Sequence, residues 1–274
     1  MDKSTPLYRN MILVSILYCL FQILFYSTIV PVYRLPLLNW LAFLLVCIPF
    51  HGLILLAMIK LRHLFVLVDT RTALTRINIS NLLSLFRISS IPTLLFSFLS
   101  TKKVPLLIIA LVFLSVVFIT DFLDGKLARK LNQVTFIGQY LDSTSDYLVL
   151  ITTSIIFLQY QIISVGFLII LLIRLFVVAG GNTLIFFRES HVDPQTSYLG
   201  KASVFAVMIF FAFRLFKFLL EITNTEFQGN LLLFSLIDRL EYMTEGIILV
   251  SIVEKISLLR TTFKELGQGR KEST

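Results

Sequence analysis

Four aspartates lie at regular spacing inside the apolar segments of this 274-residue chain. Asp121 and Asp124 are three residues apart in the sequence, and Asp142 and Asp146 are four apart. Because an α-helix turns by about 100° per residue, the two members of each pair lie on one helix face. Ionised side chains at membrane depth are costly, and they usually mark a cavity, an ion pathway or a site. The spacing therefore predicts two helices that each present a pair of carboxylates to a site.

Small residues lie beside both pairs. Gly125 and Ala128 share the helix face of the first pair, with Arg129 at its edge, and Gly138 shares the face of the second pair. Small side chains let helix backbones approach closely. Packed face to face, the two helices would bring all the carboxylates into one pocket.

Carboxylates that crowd into one pocket repel each other unless cations neutralise them. Ligands that are all oxygen, with no His or Cys among them, favour Mg²⁺, with Mn²⁺ or Ca²⁺ as alternatives. A centre with two metal ions can clamp a diphosphate and stabilise the attacking and leaving oxygens of an in-line displacement. One aspartate could act as the base toward an incoming hydroxyl, and Arg129 could bind a phosphate through its planar guanidinium.

The spacing also carries a family resemblance. The pattern D-x2-D-G-x2-A-R-x8-G-x3-D-x3-D is matched at every fixed position, namely Asp121, Asp124, Gly125, Ala128, Arg129, Gly138, Asp142 and Asp146. It resembles the signature of the CDP-alcohol phosphotransferases, also called CDP-alcohol phosphatidyltransferases, which are integral membrane enzymes of phospholipid synthesis. The remainder of the chain is generic apolar sequence, apart from a weaker likeness before the signature.

The resemblance implies a fold, a reaction and a set of roles. The family has six transmembrane helices and uses two divalent ions, here expected to be Mg²⁺ with Mn²⁺ as the alternative, to hold the diphosphate of a CDP-linked donor. An acceptor hydroxyl attacks the phosphorus outside the CMP, and CMP leaves. By position, Asp146 is the expected general base, and the expected metal ligands are Asp121, Asp124, Asp142 and Asp146. The expected nucleotide- and donor-binding residues of the signature are Gly125, Ala128, Arg129 and Gly138. Members commonly dimerise, so a homodimer is also expected.

The weaker likeness covers NLLSLFRISSIP, from Asn81 to Pro92, which is similar to the first core helix of the family. The resemblance implies that Asn81 and Arg87 help to hold the donor. Two alternatives stay open, since Asn81 could cap a helix and Arg87 could be a cation that snorkels to the membrane surface.

The family works in two directions, and the preferred one is CDP-diacylglycerol with a soluble alcohol such as glycerol 3-phosphate. The alternative is transfer from CDP-choline or CDP-ethanolamine to diacylglycerol. A phosphorylated acceptor needs further cations, and the candidates for acceptor binding are Arg174, Arg188 and Lys201. Snorkelling or pairing with Glu241 or Glu245 is the alternative for each. The run GKASV departs from the G-K-x-K-T-like run that glycerophosphate-using members often have, because Lys201 is kept but the second Lys and the Thr are replaced by Ser203 and Val204.

The last apolar segment carries Asp238, Glu241 and Glu245 on one face. Such a face could bind a cationic headgroup, but the preferred interpretation is that it neutralises Arg214, Lys217 or Arg239.

Three other classes of protein are compatible with some of these features. A transporter or channel with an acidic ion path explains intramembrane carboxylates, but it does not explain the fixed small residues. An aspartyl intramembrane protease needs two acids and a Gly-x-Gly-Asp element, which is missing. An inactive scaffold is disfavoured because all four carboxylates are present.

The elements that must position these residues are long apolar helices. The chain is 57% hydrophobic and 15% charged, with a mean hydropathy of +0.90, which indicates an all-α integral membrane protein. The expected spans number about eight, a six-helix core plus two N-terminal helices. They are about 11–32, 37–59, 81–100, 105–123, 137–158, 162–187, 202–220 and 231–253.

The distribution of Lys and Arg predicts the orientation. With the N-terminus in the cytoplasm, sixteen basic residues lie in cytoplasmic segments and only Arg34, Lys102 and Lys103 lie outside, as the positive-inside rule requires. We therefore expect a multi-pass protein of the cell membrane with both termini and the active site facing the cytoplasm. The net charge of +8 predicts contact with anionic membrane lipids rather than nucleic acid.

Four regions follow from this pattern. Residues 1–60 hold two extra N-terminal helices, 81–258 the six-helix catalytic core, and 259–274 a cytoplasmic tail. Residues 61–80 are expected to form an amphipathic interfacial helix, with a solvated loop as the alternative. Cys19 and Cys47 are expected to be small core or lipid-facing residues.

Overall fold

The computed structural model describes residues 4–100, 104–131, 133–188, 198–223 and 231–269. Within these ranges the chain is almost entirely helical, which confirms the prediction of an all-α membrane protein. The helices are α1 (Ser4–Val32), α2 (Leu37–Lys60), α3 (Ile79–Ser89), α4 (Ile91–Leu99), α5 (Val104–Lys130), α6 (Phe136–Gln159), α7 (Val165–Arg188), α8 (Tyr198–Thr223) and α9 (Leu231–Gly269).

Six helical segments among the described residues are long and apolar enough to cross a membrane. They are Pro6–Val32, Leu37–Lys60, Ile79–Leu99, Leu106–Lys130, Phe136–Gln159 and Tyr198–Glu221. Large apolar side chains such as Leu24 and Leu45 are exposed, as they are on helices that face lipid. Of the two other expected spans, the one at 162–187 corresponds to α7, whose apolar stretch Val165–Gly181 is shorter. The span at 231–253 lies in α9 and stays a prediction.

The expected span 81–100 consists of two helices that meet at Ser90. The backbone N–H of Ser90 donates to Phe86 O at 3.0 Å, so helical hydrogen bonding reaches the junction. Pro92 follows in the first turn of α4, and it has no backbone N–H to donate to a carbonyl of α3. The break between α3 and α4 therefore has a local cause in the sequence.

The chain divides into two compact units, Met1–Ile156 and Phe157–Thr274. In the first unit α1 packs against α2, α2 against α4, and both α3 and α4 against α5. One cluster of buried apolar side chains surrounds Phe65 and joins α1, α2, α3 and α6. A second cluster surrounds Phe43 and joins α1, α2 and α5. The two N-terminal helices are thus packed into the unit that carries the signature aspartates.

In the second unit α9 packs against both α7 and α8. Four buried phenylalanines form a chain of ring contacts in this unit, namely Phe157, Phe167, Phe210 and Phe211. Arg214 donates to Asp238 and Glu241, and Lys217 donates to Asp238 at 2.7 Å. The acidic face of α9 therefore neutralises cations of α8, as preferred from the sequence, with Arg214 and Lys217 as the partners.

The segment between α2 and α3 corrects one expectation. An amphipathic helix was expected over 61–80, but between the end of α2 and the start of α3 at Ile79 the chain is extended and turned, apart from the 3₁₀ turn Arg62–Leu64. Val66 forms an antiparallel bridge with Ala73, and Arg71 closes the turn with a positive φ of 51°. The helical expectation was wrong because the segment finds backbone partners across a hairpin and in a distant part of the chain. Its place at a membrane interface stays a prediction.

Candidate active site

One guanidinium in the first unit contacts three carboxylates. Arg87 of α3 donates from Nη2 to Asp124 Oδ2 at 2.6 Å and to Asp142 Oδ1 at 2.8 Å. It donates from Nη1 to Asp146 Oδ1 at 3.1 Å. Asp124 lies on α5, and Asp142 and Asp146 lie on α6. The structure therefore brings together aspartates from both halves of the signature, as their helical spacing predicted. The side chain of Asp121 lies outside the described residues, although its backbone is part of α5.

The three carboxylates differ in their exposure. The side chain of Asp124 is 3% exposed, that of Asp146 is 27% exposed and that of Asp142 is 49% exposed, whereas that of Arg87 is 1% exposed. Asp124 therefore forms the closed end of the site and Asp142 the open end. A ligand would reach the site from the side of Asp142.

Two serines of α3 hold Asp124. Ser84 Oγ donates to the carboxylate oxygen Oδ2 at 2.9 Å, and Ser80 Oγ donates to the main-chain oxygen of Asp124 at 3.0 Å. Sequence reasoning missed both serines. The signal that could have found them is their spacing, because Ser80, Ser84 and Arg87 follow each other at steps of four and three and so share one face of α3.

The start of α6 packs closely against α3 at Gly138. A Cβ on Gly138 would lie 2.7 Å from both Asn81 Oδ1 and Thr135 Oγ1, so this position has no room for a larger residue. Thr135 Oγ1 donates to Asn81 Oδ1 at 3.1 Å and accepts the Gly138 N–H at 3.0 Å. The close approach at Gly138 is therefore to α3 and not to α5, the helix that the small residues were expected to bring close. Thr135 is a further residue that the sequence did not single out.

Asn81 and Arg87 take neither of their alternative structural roles. The cap of α3 is Asn78, whose side chain accepts the N–H of Asn81 at 3.0 Å. Asn81 itself is buried among α3 and the start of α6. The buried ion pairs of Arg87 exclude a snorkelling cation. Donor binding by both residues stays a proposal.

Gly125 lies on the open side of α5. A Cβ there would meet only the guanidinium nitrogens of Arg129, at 3.7 and 3.8 Å, which is ordinary contact with the end of a flexible side chain. Arg129 is exposed and Ala128 is half-buried. Among the side chains that the structure describes, no packing contact therefore requires a glycine at position 125.

The candidate acceptor residues lie in the second unit. Arg174 is buried, and it donates from Nε to Ser251 Oγ at 3.1 Å and from Nη2 to Gly200 O at 2.9 Å. It thereby joins α7 to α8 and α9. The side chains of Arg188 and Lys201 lie outside the described residues.

The oxygen-only ligand set fits hard divalent cations. Three ionised aspartates around one guanidinium carry a formal charge of about −2, from −3 and +1. Carboxylate oxygens are the ligands that Mg²⁺ prefers, and the exposed end at Asp142 gives an ion access to them. The net negative charge of the three aspartates with Arg87 and their carboxylate oxygens therefore both fit the binding of divalent ions.

A second group of ligand-type side chains in the described structure consists of Cys19, Cys47 and His51. His51 contacts Cys47 O through Nδ1 at 2.8 Å and Ser89 Oγ through Nε2 at 2.8 Å. Both ring nitrogens therefore have hydrogen-bond partners, and Cys47 is fully buried. The group is explained as core, in agreement with the expectation for the cysteines.

Comparison with known proteins gives a family and several relatives. A family model described as CDP-alcohol phosphatidyltransferase matches residues 77–257. A protein of Streptomyces coelicolor named cardiolipin synthase (CMP-forming) is 32% identical over 154 residues, which cover 52% of this chain and 67% of the relative. A putative cardiolipin synthase of Mycobacterium tuberculosis is 35% identical over 135 residues, covering 49% of this chain and 63% of the relative.

A third relative, from Rickettsia bellii, is named CDP-diacylglycerol–glycerol-3-phosphate 3-phosphatidyltransferase. It is 32% identical over 131 residues, which cover 48% of this chain and 71% of the relative. The chain thus spans roughly two thirds of the length of these relatives.

Proposed function

The chain belongs to the CDP-alcohol phosphatidyltransferase family, and we propose that it moves a phosphatidyl group from CDP-diacylglycerol to a soluble alcohol such as glycerol 3-phosphate. The observation that carries the proposal is the meeting of Asp124, Asp142 and Asp146 around Arg87. It joins both halves of the signature in one site with an open end.

The reaction exchanges one phosphoester bond for another. The acceptor oxygen forms a bond to the phosphorus that carries the diacylglycerol, the bond from that phosphorus to CMP breaks, and CMP leaves with the electron pair. We assign Asp146 as the base that takes the hydroxyl proton. Its carboxylate is only partly exposed, which places it between the closed end of the site and solvent.

We propose that Asp121, Asp124, Asp142 and Asp146 hold two Mg²⁺ ions, with Mn²⁺ as a substitute. When bound, such ions neutralise the diphosphate and stabilise the developing charge on the leaving oxygens. The chain's own contribution is to hold the carboxylates in place. Ser80 and Ser84 fix Asp124, and the contact at Gly138 fixes α6 against α3.

The donor site is proposed on the open side of α5. Gly125 and Ala128 would leave room for the nucleotide, and Arg129 would bind a phosphate through its guanidinium. The exposure of Arg129 and the free space at Gly125 support these roles. Asn81, Arg87 and Gly138 would shape the closed end.

The names of the relatives support transfer from CDP-diacylglycerol as the direction of the reaction. The Rickettsia relative is named for CDP-diacylglycerol and glycerol 3-phosphate, whereas CDP-choline and CDP-ethanolamine occur in none of the names reported above. Arg174, Arg188 and Lys201 remain the candidates for binding the acceptor phosphate. Cardiolipin formation is a second candidate because two relatives are named for it; the acceptor hydroxyl would then belong to a lipid.

The chain is a multi-pass membrane protein, and we propose that its site and both termini face the cytoplasm, following the distribution of basic residues. We also propose that 81–258 forms the catalytic core, with 1–60 as an addition, 61–80 at the interface and 259–274 as a tail. The match of the family model to 77–257 supports this division.

The test uses the purified full chain in nanodiscs with labelled CDP-diacylglycerol or CDP-choline. Glycerol 3-phosphate, phosphatidylglycerol and diacylglycerol serve as acceptors, with Mg²⁺ or with EDTA. We expect CMP release with CDP-diacylglycerol and glycerol 3-phosphate that requires Mg²⁺ and is lost in Asp146→Asn. If CMP is released only with phosphatidylglycerol as the acceptor, cardiolipin formation would replace transfer to glycerol 3-phosphate as the proposed reaction. Metal-independent solute flux without CMP release would favour a transporter.

A further inference from the structure

The hairpin between α2 and α3 pairs with the connection between α5 and α6. The N–H of Val68 donates to Val134 O at 2.9 Å, and the N–H of Phe136 donates to Val66 O at 3.1 Å. Between these two bonds Leu67 forms an antiparallel bridge with Thr135. Residues 65–68 also bond within the hairpin, where the N–H of Leu74 donates to Phe65 O at 2.8 Å. Residues 65–68, the central stretch, therefore hold a distant part of the chain by main-chain hydrogen bonds.

The paired connection separates the two halves of the signature. Asp124 precedes it on α5 and Asp142 follows it on α6, so the connection links the two helices that carry these carboxylates. It is also held from α3, because Asn78 Nδ2 donates to Gln133 O at 2.7 Å. The central stretch therefore acts as a clamp on the connection, in addition to the bond from Asn78.

The central stretch is itself fixed by burial. Phe65 is 1% exposed and lies in a cluster with Met11 of α1, Met58 of α2, Leu85 of α3 and Ile137 of α6. The N–H of Ile77 donates to Asn10 Oδ1 of α1 at 2.8 Å. The clamp is therefore anchored on both N-terminal helices, and its residues precede the start of the family match at residue 77.

We propose that residues 65–68 are a positioning element for the signature aspartates. The N-terminal helices α1 and α2 hold this stretch against the connection between α5 and α6. This inference rests on the proposed function. It gives the extra N-terminal region a role in the reaction beyond anchoring in the membrane. Since catalysis depends on geometry, a shift of about 1 Å in such groups can cost up to 10²-fold in rate.

Two matched phenylalanines test the proposal in the full chain. Phe65→Ala leaves a cavity in the apolar cluster that anchors the central stretch. Phe43→Ala leaves a cavity of the same kind in the second cluster, where Phe43 is also almost completely buried. Both variants should lose similar thermal stability. Phe65→Ala should lower kcat about tenfold or more with little change in KM, whereas Phe43→Ala should lower kcat less than about twofold. Phe65→Leu keeps a large apolar side chain in the cluster, so its kcat should be close to that of the wild-type chain.

Hydrogen–deuterium exchange gives a readout that is independent of activity. The amide of Phe136 should exchange slowly in the wild-type chain and in Phe43→Ala, and rapidly in Phe65→Ala. Equal exchange and equal kcat in the two alanine variants would overturn the proposal. If Phe65→Ala does not fold, Val68→Pro removes the amide that bonds Val134 O and fixes φ at that position, and Val68→Ala is its control because it keeps that amide. A kcat for Val68→Pro equal to that of Val68→Ala would also overturn it.

The outcome is separable from that of the proposed function. A wild-type chain without CMP release contradicts the proposed function, but slow exchange at Phe136 in that chain would still report the clamp. A fully active wild-type chain with unaffected Phe65→Ala contradicts only the clamp.

Discussion

Arg87 on α3 and Asp124 on α5 form a buried ion pair, with Nη2 2.6 Å from Oδ2 and side chains that are 1% and 3% exposed. The pair couples the packing of α3 on α5 to the charge of the site. Removing one partner of a buried pair leaves the other charge without compensation. The pair therefore links the stability of the first unit to the residues proposed for chemistry.

Replacing Arg87 should destabilise the protein strongly. Arg87→Ala leaves the buried Asp124 carboxylate without its cation, and we expect a loss of roughly 3–5 kcal/mol in the free energy of unfolding. Arg87→Lys should lose less, because the charge stays while the planar fork is lost. Thermal unfolding in nanodiscs measures both. Arg129→Ala, which truncates an exposed arginine, is the control, and equal stability of Arg87→Ala and Arg129→Ala would contradict the role of the pair.

Gly138→Ala should disrupt the contact between α3 and α6. The added methyl group would lie 2.7 Å from the side-chain oxygens of Asn81 and Thr135, so these side chains must give up their mutual hydrogen bond or the start of α6 must move away from α3. We expect lower thermal stability and a lower kcat for CMP release. Gly52→Ala is the matched control, because among the described residues no atom beyond its chain neighbours and its own helix backbone lies within 4 Å of the added Cβ. If both variants behave like the wild-type chain, the close approach at Gly138 is wrong.

Gly125→Ala separates packing from substrate binding. Of the side chains that the structure describes, the added methyl group meets only the flexible end of Arg129. Thermal stability should therefore stay the same or rise slightly, since alanine favours helix over glycine by about 1 kcal/mol. If the nucleotide occupies this space, the KM for the CDP-linked donor should rise several-fold. Steady-state kinetics with varied donor checks this. An unchanged KM would place the nucleotide elsewhere.

Asp142→Asn should weaken metal binding without unfolding the protein. The side chain of Asp142 is 49% exposed, so its replacement should change stability little, whereas a hard cation loses a charged oxygen ligand. Binding of Mn²⁺ followed by electron paramagnetic resonance measures the affinity directly, without turnover. Asp69→Asn makes the same chemical change at an exposed position of the hairpin. Equal Mn²⁺ affinity in the two variants would remove Asp142 from the metal site.

The sequence by itself determined the helical class, the membrane setting and the three signature aspartates that the structure brings together. These features depend on local periodicity, since residues three or four apart share a helix face whatever the rest of the chain does. The apolar character of the helices follows from composition in the same way. Gly138 was expected beside the aspartates for the same reason.

Only the tertiary structure decided which groups complete the site. Arg87 meets Asp124 and Asp142 across sequence separations of 37 and 55 residues, and no local pattern states which of many basic residues will do so. The segment 60–80 has the composition of an amphipathic helix, yet its backbone pairs with residues 134–136. Hydrogen-bond partners so far apart in the sequence are chosen by the packing of whole helices, which is why the hairpin, Ser84 and Thr135 were visible only in the folded chain.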